Sequence, residues 1–212
     1  MSAGLASVAA GRSALYWLFA DMLLTSPDDI LIARLARDLP GAEEGAEGRS
    51  RELAALRETL PRERADTAAM AVEFTRLFGG LTRNGGPAPP YESLHRETPA
   101  RESAGEFYAK AGLVSFEAGA PSDHLGVEFR FMGLLCHGES ASWRAGRTRE
   151  ARAALADERD FLDWHLLAWA PDYLAVLERE ARHAFYGVLA GIAARALASD
   201  RAAIEELLAE MN

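Results

Sequence analysis

Pro121-Ser122-Asp123-His124-Leu125-Gly126-Val127-Glu128-Phe129-Arg130-Phe131-Met132 reads as a helix that starts sharply and carries two faces. Pro121 and Ser122 are helix-opening residues, and Asp123 and His124 fall in the first turn, where unpaired N–H groups and the helix dipole favour a carboxylate. Leu125, Phe129, Met132 and Cys136 recur at helical spacing and form a core-facing stripe. His124, Glu128, Phe131 and Leu135 form the neighbouring stripe, with His124 and Glu128 one turn apart. The plain account of that pair is a capping Asp123 and a His124 that orients Glu128.

Helical periodicity continues on both sides. Leu15, Leu18, Phe19, Met22 and Leu23 mark one buried helical face, and residues 1–11 read as the approach to that helix. Ser26-Pro27-Asp28-Asp29 predicts a second helix with Ser26 as its N-cap, ending near Leu39-Pro40-Gly41. A third helix is expected from about Ser50 to Leu60. Pro61 opens a fourth whose stripe is Met70, Phe74, Leu77 and Phe78, closed by Gly79-Gly80.

Thr98-Pro99 caps a helix that Gly112 stops, and a long helix runs from Arg147 to Trp169 until Pro171 breaks it. A short helix from Tyr173 to Arg179 follows. Next come a long one using Phe185, Val188, Leu189 and Ile192, and a terminal piece using Ile204, Leu207, Leu208 and Met211. Valine and isoleucine together number only ten among 212 residues, and no convincing strand emerges. The expectation is an all-α fold of about nine to ten helices. One helical domain spans 1–212: an N-terminal group over 1–78, a loop and candidate hinge over 79–97, and a C-terminal group over 98–212.

Net charge is −9, which repels a phosphate backbone and argues against nucleic acid as a partner. Cys136 is the single cysteine, so no intrachain disulfide forms and a reducing, cytoplasmic setting is the default. No apolar run approaches the length of a membrane span.

Catalytic motifs are missing: Ser93 has no nucleophile elbow, and no glycine-rich phosphate loop occurs. A metal-dependent helical enzyme using His124 and Glu128 is an alternative, but no third or fourth ligand follows at metal spacing, so neither metal nor cofactor is expected. A helical scaffold that holds a folded partner is the other alternative. Phe161, His165 and Trp169 share a face, where the His and Trp nitrogens call for buried partners.

Several segments, read in order, resemble the TorD/DmsD/NarJ family of redox-enzyme maturation chaperones. These are Glu73-Phe74-Thr75-Arg76-Leu77-Phe78-Gly79, Pro90-Tyr91-Glu92-Ser93, Pro121 to Glu128 with Phe131-Met132, Phe161 to Pro171, and Phe185-Tyr186. Ser122 stands where the family often has proline, and His95 where a tyrosine is common. The resemblance implies a cytoplasmic, non-enzymatic chaperone with a TorD-like fold. Its partner would be the catalytic subunit of a molybdenum-containing oxidoreductase, bound through an N-terminal twin-arginine leader until the cofactor is inserted.

A receptor for such a leader needs carboxylates for the arginines and a greasy groove beside them. The candidate peptide-binding residues are Tyr91, Glu92, Ser93, Pro121, Asp123, His124, Glu128 and Phe131, with Leu94 and Leu135 as apolar neighbours. The expected oligomeric state is a monomer or a domain-swapped homodimer, exchanged through the Gly79–Pro90 stretch.

Overall fold

The computed structural model describes residues 2–43, 47–80, 85–97, 99–113 and 120–211. Its α-helices are α1 (Ser2–Leu24), α2 (Asp29–Asp38), α3 (Gly48–Glu58), α4 (Arg64–Phe78), α5 (Ala100–Lys110), α6 (Leu125–Arg144), α7 (Thr148–Phe161), α8 (Leu167–Glu180) and α9 (Ala184–Glu210). A 3-10 turn covers Glu92–Leu94, and a π-helical turn, Leu162–Leu166, joins α7 to α8. No strand occurs among the described residues; a lone antiparallel bridge links Tyr91 and His124. The fold is all-α.

The chain divides into two compact units. One comprises Met1–Leu24, Pro90–Pro171 and Arg195–Asn212; the other comprises Thr25–Pro89 and Asp172–Ala194. One boundary, Pro89/Pro90, falls in the segment read as a hinge, of which residues 81–84 lie outside the described residues. The first helix groups with residues 90–171, so the units do not follow the order of the chain.

In the first unit, α1 packs on α6 at close range because both present small residues. Ser13 Oγ donates to Gly133 O at 2.8 Å, and Ser140 Oγ donates to Ala6 O at 2.7 Å. Ala6 and Ala9 are buried, which is why the helix starts at Ser2 where the sequence suggested only an approach. A Cβ on Gly126 would lie 2.7 Å from Leu24 Cγ, so this contact admits only glycine without a shift. Phe129 completes the seam against Tyr16 and Phe19, with ring centroids 6.0 and 5.3 Å away. Cys136 is buried on the same helix.

A single guanidinium ties four helices of this unit. Arg12 donates to Glu158 at 2.6 Å, Asp200 at 2.9 Å and Glu139 at 3.0 Å. Three acids share one cation in a buried place. Burial, together with the Glu139 charge, outweighs the attraction of Arg12 and pushes the Glu158 carboxyl up to about 8.

In the second unit, the conspicuous element is the end of α4. Arg76 donates to both Glu73 oxygens at 2.7 Å, to Gly85 O at 2.9 Å and to Glu180 O at 2.7 Å. Glu73 also accepts the Arg182 N–H at 2.7 Å. Phe78 then packs edge-on against Tyr186, and Gly79 caps the helix.

Several boundaries differ from expectation for local reasons. Asp28, not Ser26, caps α2, accepting from Leu31 N–H at 2.7 Å. Glu63 is the N-cap of α4, which begins at Arg64, three residues after Pro61. Pro171 does not end a helix. The π-helical turn Leu162–Leu166 interrupts the regular hydrogen-bond ladder just before the proline, and α8 runs through Pro171 to Glu180. Tyr173–Arg179 is therefore part of α8, and the two C-terminal segments are one helix, α9. Thr98 lies outside the described residues, and Pro99 is the N-cap of α5.

Candidate functional site

The candidate site is built where the turn at Pro90–Ser93 meets the start of α6. Glu92 N–H donates to Asp123 O at 2.8 Å, and Leu125 N–H donates to Pro90 O at 2.9 Å, one bond on each side of the Tyr91–His124 pair. Two segments some thirty positions apart are thereby fixed in register. Tyr108 OH holds Ser122 O at 2.7 Å and Ser122 Oγ donates to Arg101 O at 2.8 Å, so α5 braces the α6 start.

His124 is the N-cap of α6: its Nδ1 accepts the Gly126 N–H at 3.0 Å. The expected cap is Asp123 or Ser122, with His124 orienting Glu128. The ring instead caps the helix and stands edge-on to Tyr91, with centroids 5.2 Å apart. Burial lowers its pKa to about 4, so the ring is neutral and suited to accept.

Glu92, Asp123 and Glu128 come together, and all three are fully buried. The expected open acidic groove is thus closed: each carboxyl already has partners. Glu92 Oε1 accepts from Arg96 Nη1, and its Oε2 accepts from His165 Nδ1 at 2.7 Å. Asp123 accepts from Arg101 Nε at 3.1 Å and from Ser93 N–H at 3.4 Å. Although burial raises the Asp123 pKa, the Ser93 and Arg101 hydrogen bonds hold it below the usual carboxylate value.

Glu128 behaves differently. Its Oε2 accepts from Trp169 Nε1 at 3.2 Å, while Oε1 meets no N–H or O–H donor. Burial first, then the Glu92 charge, push this carboxyl well above its ordinary value, and in its protonated form it donates to Glu92. Two carboxyls one hydrogen bond apart cannot both ionise cheaply in a buried place, so a shared proton accounts for the arrangement.

Beneath the acids lies an aromatic floor. Phe161 stacks on His165 at 5.1 Å and meets Phe131 edge-on at 4.7 Å; Tyr108 lies 4.5 Å from Phe131. His165 Nε2 sits 3.3 Å from Ser103 Oγ. The π-helical turn that carries His165 leaves Trp164 exposed, and its carbonyl accepts from Arg96 at 2.8 Å. Tyr91 is half-buried, whereas Ser93, Leu94 and Pro121 are exposed. His95 stacks on Trp169 at 5.1 Å, keeping a flat ring at that position.

Among the described residues, Glu92, Glu128 and His165 offer donor atoms within 4.8 Å of one another, a spacing a metal ion can use. His124 is not in that set. Arg96 and the shared proton already neutralise these acids, so the residues fit a charge-balanced polar core better than a cation site.

Sequence reasoning missed Arg96, Arg101 and Ser103, and it did not connect His165 and Trp169 to the two glutamates. One local signal was available: Glu92 and Arg96 stand at i, i+4. Partners from α5 and the π-helical turn leave no such mark.

The profile of the nitrate reductase delta subunit family matches residues 42–175. A selenate reductase assembly chaperone from Thauera selenatis is 43% identical over 70 residues, 32% of this chain and 35% of that protein. The match therefore spans about a third of that relative's length. The chaperone TorD of Aeromonas salmonicida is 28% identical over 197 residues, 84% of each chain. A solved redox enzyme maturation protein from Archaeoglobus fulgidus aligns over 92% of this chain and 93% of that one, with a TM-score of 0.47 and 22% identity.

Proposed function

The chain belongs to the nitrate reductase delta subunit family, and from that membership we propose that it is an assembly chaperone for the catalytic subunit of a molybdenum-containing oxidoreductase. The relatives named as assembly chaperones for selenate and chlorate reductases, and as TorD, support this reading. It acts by binding, not catalysis, on the subunit before export, in the cytoplasm. The ligand is an N-terminal leader with two consecutive arginines followed by an apolar stretch.

One observation carries the assignment of the site. Two fully buried carboxylates, Glu92 and Asp123, sit on adjacent backbone positions of one bridge, and each is paired with a guanidinium. A site that already satisfies its acids with arginine side chains has the chemistry to accept arginine from a ligand. Leu94 and Trp164, 58% and 67% exposed, supply apolar surface for the residues that follow.

Titration calorimetry with a peptide carrying Arg-Arg and an apolar tail tests the reading. Glu92→Gln and Asp123→Asn should each weaken binding by about tenfold or more, the worth of one hydrogen bond between charged groups. Wild-type affinity in both variants removes these residues from the site.

A further inference from the structure

Both carboxylates assigned to the ligand are occupied by this chain's own arginines, and in each pair the anion is buried while the cation faces water. Glu92 and Asp123 side chains have no exposure, whereas those of Arg96 and Arg101 are 26% and 57% exposed. A buried carboxylate stripped of its cation is costly, so some guanidinium must always be present. Which guanidinium is present is much less constrained, because a partly exposed arginine is rehydrated when it leaves.

Arg101 is held at Asp123 by a single hydrogen bond of 3.1 Å from Nε. Arg96 is tied to Glu92 and, through the same Nη1, to the Trp164 carbonyl. These contacts place Arg96 at the exposed Trp164, two residues after the exposed Leu94. Moving Arg96 outward would uncover Glu92 beside that apolar pair.

Resting on the leader-binding reading, we infer that Arg96 and Arg101 are resident guanidinium groups that close the site, and that two arginine side chains of the ligand replace them, one at each carboxylate. The exchange keeps every buried charge paired at its beginning and end. It also explains how fully buried acids serve a binding site: the closed form stores them under removable covers. Apparent affinity is then the intrinsic affinity scaled down by the fraction of molecules in which the covers have moved away. Discrimination against lysine follows, since an ammonium is a compact, strongly hydrated charge that does not reproduce the guanidinium geometry.

The test uses the full chain and the same Arg-Arg peptide, with a Lys-Lys counterpart. Arg96→Gln and Arg101→Gln should each bind the Arg-Arg peptide more tightly, by about tenfold where the closed form dominates, and Arg96→Gln combined with Glu92→Gln should lose that gain. Binding by the variants when the wild type binds too weakly to detect also supports the exchange. Equal or weaker binding in both variants, with the wild type binding normally, overturns it and leaves the leader-binding reading intact. No binding in any form takes down both.

Should Arg96→Gln unfold, wild-type protein labelled at arginine provides a second readout. The Arg96 Nη–H and Arg101 Nε–H signals should move to solvent-exchanging positions on addition of the peptide. Unchanged signals at saturating peptide overturn the inference.

Discussion

Trp169 Nε1 donates to Glu128 Oε2 across 3.2 Å, joining residues 41 positions apart, both almost wholly withdrawn from water. The bond gives the indole its buried acceptor and aims the Glu128 carboxyl at Glu92. It converts two motifs that look unrelated along the chain into one polar core.

Glu128→Gln should leave stability within about 1 kcal/mol of wild type, because an amide keeps the shape, the acceptor and the donor of a protonated carboxyl. Glu128→Ala should cost about 2 kcal/mol or more, stranding the indole and opening a cavity. The sign of the pH effect follows from the raised carboxyl: the folded state holds a proton that the unfolded state loses above the ordinary value of 4.5. Wild type should therefore lose stability relative to Glu128→Gln as pH rises past that point. Urea unfolding across pH measures both; equal losses for Gln and Ala would refute the shared-proton arrangement.

His124 titrates in the opposite sense. Its pKa falls from 6.5 unfolded to about 4 folded, so between those values the unfolded state binds the extra proton. Its contribution is complete above pH 6.5 and drains away as pH drops toward 4, on the order of 3 kcal/mol for a shift of this size. Asparagine also caps helices well. His124→Asn should therefore flatten the stability profile across that window relative to wild type, and a parallel profile would show that the ring does not stay neutral in the fold.

The seam between α1 and α6 depends on a missing side chain. Gly126→Ala should cost about 1–3 kcal/mol, since a methyl placed 2.7 Å from Leu24 Cγ forces a shift in a packed contact. Leu24→Ala in the same chain should recover part of that loss. A double-mutant cycle with no coupling between the two positions would contradict the close approach.

How much of this was legible beforehand depends on the range of the interaction. Periodicity exposed the core stripe Leu125, Phe129, Met132 and Cys136, all of which are buried, because helical spacing is a local property. The same spacing misassigned His124, whose neighbour one turn on is Glu128 but whose partner is its own helix's Gly126 N–H. Phe161, His165 and Trp169 announced that nitrogens needed acceptors, yet nothing local says that the acceptors are Glu92 and Glu128. The α1 start was hidden for another reason. Ala6, Ala9 and Ser13 pack by being small, and small residues carry little hydrophobic signal.

Arg76 offers a test in the other unit, in the segment from Glu73 to Gly79 that resembles a family motif. Its guanidinium serves three acceptors spread around one plane: the Glu73 carboxylate, the Gly85 carbonyl and the Glu180 carbonyl. The residue is buried, so each acceptor it abandons is left short of a donor. Lysine keeps the charge but gathers its donors at one point and cannot span that plane. Arg76→Lys should thus lose at least one hydrogen bond to a charged or buried group, about 2 kcal/mol, while Arg76→Ala should lose more by leaving Glu73 unpaired. Chemical unfolding of both variants decides the matter: a lysine variant within about 0.5 kcal/mol of wild type would mean that charge alone, and not the planar fork, holds these segments together.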